Sequence, residues 1–212
     1  MNEFSMLIKF VVDGFVSPGS FAMWAILFIL FGTIGLWIER GWYLYVKCGT
    51  GSASFMSGVS KYLNSGDFEK AIKYASSVNT PLARGVLAVL QNRGKGAKAV
   101  QKSVDEVFLT ETPKILRNLV IMPTLANLAT LLGLLGTIYG LMLAFDAIAN
   151  VPAAQRAQAL ATGISVAMST TLWGLIVAVP TLLIHGVFAG RSDRLVEEMD
   201  EKTAKLINLV EE

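Results

Sequence analysis

Charged residues are scarce in this sequence, and three long stretches contain none. Charged side chains make up 16% of the 212 residues, whereas hydrophobic ones make up 53%. Soluble domains are about a quarter charged, so the composition argues against a soluble globular protein. The net charge of +2 gives no reason to expect nucleic-acid binding. A single cysteine, Cys48, excludes an intrachain disulfide.

The uncharged stretches are long enough to cross a bilayer as helices. They contain 25, 28 and 34 residues, at 14–38, 118–145 and 157–190. About 20 residues rising 1.5 Å each cross a hydrocarbon core about 30 Å thick. We therefore predict an all-α integral membrane protein whose three transmembrane helices extend into the cytoplasm. The first run exceeds a signal peptide's apolar region and follows Glu3 and Asp13, so we expect it to stay in the mature protein.

The basic residues predict the orientation. Twelve of the 18 Lys and Arg residues lie at 40–117 and four lie after residue 190, whereas only Lys9 and Arg156 lie elsewhere. Basic residues flanking membrane spans concentrate on the cytoplasmic side. We therefore expect the N-terminus outside, and both the central region and the C-terminus in the cytoplasm.

These patterns divide the chain into seven segments. We predict an interfacial helix on the outer side at 1–19, transmembrane helices at 20–46, 118–149 and 158–190, and a cytoplasmic helical region at 47–117. A short outer loop at 150–157 and a cytoplasmic C-terminal helix at 191–212 complete the chain. Within 47–117 we expect helices at 61–74 and 81–92 and a long helix from about Ala97 into the membrane. Some 70 residues are too few for a separate core.

Small and hydroxyl-bearing residues recur along one face of the second and third transmembrane helices. In the second helix, the residues spaced by three and four positions are Thr130, Gly133, Thr137, Gly140 and Ala144. Gly136 and Gly140 also form a GxxxG pattern. The matching set in the third helix is Gly163, Ala167, Thr170, Thr171, Gly174 and Ala178. This spacing places side chains on one helix face, and small residues let helices approach closely.

Two interpretations of these faces stay open on the residues alone. The faces can be packing surfaces on which each threonine bonds to its own helix at the i−4 carbonyl. Alternatively, the hydroxyls line a polar path for an ion. Since the three uncharged runs contain no Asp, Glu, Lys or Arg, a titrating group for ion transfer would have to come from another chain.

No pattern indicates an enzyme. The sequence has no nucleophile–base pair, no metal-ligand spacing and no Gly-rich phosphate loop. We therefore predict neither a cofactor nor a metal site, and the only small cargo expected is a translocated H⁺ or Na⁺. The roles of His185, near the end of the third span, and of Trp173 stay open.

Two runs resemble the MotA/TolQ/ExbB proton-channel family. Residues 129–142 spell ATLLGLLGTIYGLM, similar to the family's second-helix pattern APLLGLLGTVxGM. Residues 163–180, GISVAMSTTLWGLIVAVP, resemble its third-helix pattern GIAEALxxTAxGLxVAIP. Glu39-Arg40 and residues 81–84 also match family positions. Length and span number are similar to TolQ and ExbB rather than to the longer MotA proteins.

The resemblance implies a function. It implies a bacterial inner-membrane homo-oligomer, a ring of five subunits around a dimer of a single-span ExbD/TolR-like protein. That partner's membrane aspartate would carry H⁺ or Na⁺, and ion flow would drive mechanical work in the periplasm. Carried over, Thr137 and Thr171 match the family's pore threonines, and Thr170 and Thr130 add hydroxyls to the expected ion pathway.

Two positions depart from the family pattern. Val166 occupies the place of a glutamate found in ExbB and TolQ, and Thr130 occupies that of a proline. Without that glutamate, the choice between H⁺ and Na⁺ stays open. Val166 also gives weight to an alternative function, a membrane scaffold that holds partner helices and conducts nothing.

Overall fold

The structure, a computed structural model, describes Phe15, residues 21–49 and residues 51–211, the side chain of Glu211 excepted. All regular secondary structure in this part of the chain is helical, and three helices are long and apolar enough to cross a membrane. The predicted all-α fold with three transmembrane helices is therefore confirmed. The interfacial helix predicted at 1–19 lies, apart from Phe15, outside the described residues.

Seven helices follow one another along the described residues. They are α1 Phe21–Gly41, α2 Ser52–Asn64, α3 Phe68–Ser77, α4 Pro81–Asn92, α5 Ala97–Leu116, α6 Ile121–Ala149 and α7 Ala153–Glu211. A π-helical segment, Trp42–Lys47, continues α1 directly. The chain forms two compact units. The first holds the described residues up to Trp37 with Val120–His185, and the second holds Ile38–Leu119 with Gly186–Glu212.

The structure interrupts two helices that the sequence pattern predicted as continuous. The helix expected at 61–74 is wrong, because the chain turns at Gly66, whose φ of +75° is a left-handed conformation that glycine adopts without strain. The helix expected to run unbroken from Ala97 into the membrane ends at Leu116, and α6 starts at Ile121. Between them Asn118 has φ +61°, a region that asparagine tolerates better than most residues.

A buried arginine stabilises the end of α5. The Arg40 side chain is 2% exposed, and its Nη1 donates to the carbonyls of Lys114 at 3.2 Å and Ile115 at 3.5 Å. These are orphan carbonyls of a helix C-terminus, where a positive charge is favourable. Glu39 accepts from Arg40 Nη2 at 2.9 Å and, through its other oxygen, from Asn118 at 3.0 Å. The Glu39-Arg40 pair therefore holds the turn before α6.

The second unit has a hydrophobic core, which the central region forms together with the end of α7. α4 is buried almost all round, and a Cβ added at its Gly85 would meet Phe108 of α5 and Thr203 of α7. The core becomes possible because the end of α7 adds buried apolar side chains that the central region lacks. They are Leu195, Met199, Leu206 and Ile207.

α7 is one helix from Ala153 to Glu211. The loop predicted at 150–157 is therefore mostly helical, and no boundary separates a transmembrane helix from a C-terminal helix at residue 190. The first charged residue after the apolar run, Arg191, changes the polarity of the helix surface and not the backbone, so the helix continues past it.

Trp173 belongs to the core of the first unit. Ile26 of α1, Ala129 of α6 and Val177 of α7 form a buried cluster against which Trp173 packs. Its ring also meets Phe15 edge-to-face, with centroids 5.8 Å apart. The indole Nε1 is buried and has no hydrogen-bond partner in the described part of the chain. Trp173 is therefore a packing residue in this unit.

Candidate functional site

The closest contact between polar side chains of α6 and α7 joins Thr137 and Thr171. Their Oγ1 atoms are 2.5 Å apart. Thr137 also donates to the Gly133 carbonyl of its own helix at 2.9 Å, the i−4 bond expected of a helical threonine. Thr171 differs, because its second partner is again on α6, the same Gly133 carbonyl at 3.2 Å. The hydroxyl of Thr171 therefore links two spanning helices.

The Gly133 carbonyl is a shared acceptor. Besides Thr137 and Thr171, it lies 3.3 Å from the hydroxyl of Thr170, which also donates to its own helix at Ala167, at 2.8 Å. A carbonyl oxygen has two lone pairs, so three hydroxyls at one oxygen share it unequally. The bond from Thr170 to the Ala167 carbonyl is shorter than its contact with Gly133, so the Gly133 oxygen accepts mainly from the Thr137–Thr171 pair.

Glycines allow the two helices to come this close. A Cβ at Gly133 would lie 3.1 Å from the Thr170 carbonyl oxygen, and one at Gly174 would lie 2.6 Å from the Ala129 carbonyl oxygen. A Cβ at Gly136 would be 2.7 Å from Thr170 Cβ, and one at Gly140 would be 2.9 Å from Ala167 Cβ. Ordinary carbon contacts are about 3.5–4.0 Å. Any side chain at these positions would push α6 and α7 apart.

The threonine pair lies at the edge of the helix contact and not at its centre. The centre of the α6 face consists of the buried residues Ala126, Ala129, Gly133, Gly136, Gly140 and Ala144. Thr137 and Thr171 are half-buried, whereas Thr170 is only 2% exposed. Ala126 and Ala129 were not among the predicted face residues, although they continue the three-and-four spacing toward the start of α6. Because the pair is at the edge, one side of it is open to another molecule.

The structure does not bring Thr130 to the pair. Its side chain is exposed, and its hydroxyl donates to the Ala126 carbonyl of its own helix at 3.1 Å. The described hydrogen bonding of Thr130 is thus the local pattern of a packing threonine. Two buried hydroxyls, those of Ser169 and Thr181, also donate to carbonyls of their own helix, α7.

Val166 lines an open cleft of about 490 Å³ beyond the threonine pair. The cleft lies between α6 and α7, and its other walls include Gly140, Ala144, Asp146 and Gly163. Ala144 approaches Gly163, and Ala167 approaches Gly140, so the remaining small residues predicted for these faces meet across the helices. Ala178, the last of them, is 3% exposed. Asp146 is an exposed carboxylate near the C-terminal end of α6.

His185 is half-buried, and its Nδ1 has no hydrogen-bond partner among the described residues. The described part of the chain also has no group of three or more His, Cys, Asp or Glu side chains placed to hold a metal ion. The polar chemistry of the first unit is therefore concentrated in the hydroxyls around Gly133.

A family model described as the MotA/TolQ/ExbB proton channel family matches residues 76–201. The chain belongs to this family. The match covers α6 and most of α7, including both members of the threonine pair, so the predicted family is confirmed. The family is one of transport proteins, and the chain is a multi-pass membrane protein with three spanning helices.

Individual relatives carry ExbB and TolQ names. A biopolymer transport protein ExbB-like 3 from Synechocystis is 29% identical over 174 residues, 82% of each chain. An ExbB homolog from Methanothermobacter thermautotrophicus is 25% identical over 164 residues, 77% of this chain and 57% of that protein. The Tol-Pal system protein TolQ from Pseudomonas aeruginosa is 29% identical over 99 residues, which are 47% of this chain and 42% of that protein. The chain thus spans little more than half of the Methanothermobacter relative.

Proposed function

We propose that this chain is the ring-forming subunit of a motor driven by ion motive force in the bacterial inner membrane. Five copies would surround a dimer of a single-span, ExbD/TolR-like partner and couple inward H⁺ or Na⁺ flow to mechanical work in the periplasm. The N-terminus would be periplasmic and the C-terminus cytoplasmic. The observation that carries the proposal is the half-buried Thr137–Thr171 hydroxyl pair, 2.5 Å apart between two apolar helices.

The hydrogen bonds of the pair indicate what it can bind. Each hydroxyl has one proton and two lone pairs. The Gly133 carbonyl takes one of the two protons and the contact between the hydroxyls uses the other. Both protons are then engaged, while at least three lone pairs remain. The pair therefore favours a species that donates a proton or is positively charged: a protonated carboxylic acid or a Na⁺ ion.

Such an acid has to come from a partner. The three uncharged runs contain no carboxylate, and an ionisable group within the membrane is costly unless polar partners surround it. An aspartate on a partner helix would meet the open side of the pair, where its protonated form is stabilised. This arrangement needs no resident cofactor, because H⁺ or Na⁺ is the cargo.

Val166 supports the alternative of a non-conducting scaffold. It places an apolar side chain in the cleft between α6 and α7, where a glutamate would have supplied a second titrating group. In a scaffold, the threonine pair would fix the spacing of the helices and take no part in ion transfer.

Replacement of Thr171 by valine tests the proposal. Valine keeps the β-branched shape and removes the hydroxyl, so the helix contact should survive. The loss of one half-buried hydroxyl that bonds a charged species should cost about 1.5–3 kcal/mol, or roughly 10- to 100-fold in rate. We expect partner-dependent ion flux into liposomes to fall by that factor while the assembly keeps its size in detergent.

Two variants on α6, one a control and one a test of a second pathway residue, complete the experiment. Thr124→Val removes an exposed hydroxyl bonded only to its own helix, and it should conduct as the wild type does. Thr130→Val tests whether that hydroxyl belongs to the pathway, and the geometry predicts little loss. Normal flux through an assembled Thr171→Val protein would rule out the pore role. Absence of flux through the wild type with its partner would instead support the scaffold.

A further inference from the structure

The second unit contains a polar cavity of about 190 Å³ that the proposed ion pathway does not use. All of its walls belong to this one unit. The residues that matter for its chemistry are Tyr43, Lys47, Thr80, Arg84, Glu111 and Lys114.

Three cationic side chains reach the cavity from different elements. Lys47 ends the π-helical segment, Arg84 lies on α4 and Lys114 lies on α5. The one carboxylate in the walls is Glu111. Three positive charges and one negative charge leave a formal charge of +2 around a space large enough for a tetrahedral anion.

The internal ion pairs leave one cation uncompensated. Arg84 and Lys114 both bind the same Glu111 oxygen, Oε1, each at 2.6 Å. Lys47 contacts the Tyr43 ring, with its Nζ 6.0 Å from the ring centroid, and pairs with no carboxylate among the described residues. Its ammonium group is therefore available to an anion, and the half-exposed Arg84 and Lys114 have donors beyond those that Glu111 uses.

We propose that this cavity binds a phosphate group. Arginine and lysine are the side chains that recognise phosphate oxygens through charge-assisted hydrogen bonds. Thr80 adds a hydroxyl, which accepts from the Ala83 amide at 3.2 Å and keeps its own proton for a ligand. Thr80 and Pro81 also begin α4, so the positive end of that helix faces the cavity.

The distance of the cavity from the membrane indicates the source of the phosphate. The first uncharged run ends at Ile38, so Tyr43 and Lys47 are about 7 and 13 Å further along the helix. Lipid headgroups occupy about 5–8 Å beyond each face of the hydrocarbon core. Tyr43 is thus at the depth of lipid phosphates, and the Lys47 backbone is about 5 Å beyond, a gap that the long lysine side chain can cross toward the headgroups. An anionic phospholipid of the adjacent leaflet is one source, and free phosphate is the other.

Lys47→Gln tests the proposal because it removes the uncompensated charge and leaves both ion pairs intact. Lys61→Gln, on the exposed face of α2, is the matched control with the same change in net charge. The full chain, purified in a glycoside detergent, is titrated with phosphatidylglycerol or phosphatidylcholine, and bound lipid is counted by native mass spectrometry. A second arm measures the melting temperature against inorganic phosphate.

We expect phosphatidylglycerol to bind more tightly than phosphatidylcholine, and Lys47→Gln to weaken its binding about five-fold, the effect of removing one lysine near an anionic lipid surface. Lys47→Arg should restore binding, and Lys61→Gln should not change it. If inorganic phosphate instead raises the melting temperature and Lys47→Gln removes that rise, the source is free phosphate. If Lys47→Gln and Lys61→Gln behave alike with both lipids and with phosphate, the proposal is overturned.

Discussion

The close approach of α6 and α7 at Gly136 makes Gly136→Ala a sensitive probe of the candidate site. The added Cβ would lie 2.7 Å from both Cβ and Oγ1 of Thr170 and 3.0 Å from its Cγ2. Thr170 is 2% exposed and β-branched, so it has no free space to turn into. Restoring an ordinary contact of about 3.5–4.0 Å therefore requires the helices to separate by about 1 Å.

That separation has two measurable consequences. Overpacking of this kind costs about 1–3 kcal/mol. It would also lengthen the Thr137–Thr171 contact, 2.5 Å in the structure, to about 3.5 Å, where a hydrogen bond is lost. We expect Gly136→Ala to lower the melting temperature of the detergent-solubilised protein and to reduce partner-dependent ion flux in liposomes as strongly as Thr171→Val does.

Two further variants separate the clash from other effects of the substitution. Gly186→Ala makes the same change on α7 at a glycine with no atom within 4 Å of the added Cβ, and it should be neutral or slightly stabilising. Combining Gly136→Ala with Thr170→Gly removes the three nearest clashing atoms, all of them from Thr170, and should recover part of the lost melting temperature, although a helical glycine costs about 1 kcal/mol. Flux and stability unchanged in Gly136→Ala would refute the argument.

Two predictions concern the second unit. Glu111 is buried, and burial raises the pKa of its carboxyl, but hydrogen bonds from Lys114 and Arg84 and their charges outweigh this and hold the pKa below its usual value. Its stabilising effect is therefore complete above the unfolded-chain pKa of about 4.3 and fades as the pH falls through the lower folded value. Glu111→Gln should lower the free energy of unfolding by about 2 kcal/mol at pH 7. Thermal unfolding of the wild type and the variant should show this difference shrinking below pH 4, and a difference that does not change with pH would contradict the prediction. Arg40→Leu should lower the free energy of unfolding by about 1–3 kcal/mol for each buried α5 carbonyl left without a partner. Hydrogen exchange of the backbone amides at the end of α5 should become faster, and unchanged exchange there would contradict the prediction.

The sequence could predict the spans because their signal is coarse. Three uncharged runs of 25 residues or more admit only helices in a bilayer. The helix predicted at 81–92 matches α4, because Thr80 and Pro81 are start signals that act locally. The break at Asn118 was missed, since nothing in the hydrophobic pattern marks a single left-handed residue. Arg40 and Glu39, distant in sequence from α5, supply the bonds that hold it.

The sequence likewise predicted one part of the candidate site and not another. Threonine and glycine spacing indicated which faces of α6 and α7 meet, because helical periodicity alone decides which residues share a face. It did not distinguish Thr130 from Thr137, which are seven residues apart on one stripe. Only Thr137 has a partner hydroxyl opposite, and whether a partner exists depends on the other helix.

The sequence alone determines that this is a membrane protein with three transmembrane helices, two of which carry small and hydroxyl residues along one face. Composition and period suffice for that, because each residue's preference for lipid or for a close helix contact is local. The tertiary structure decided that Thr171 bonds across to α6, that the end of α7 completes the second unit, and that three cations surround one cavity. These depend on atoms distant in the chain coming within a few ångströms, and no local pattern encodes that distance.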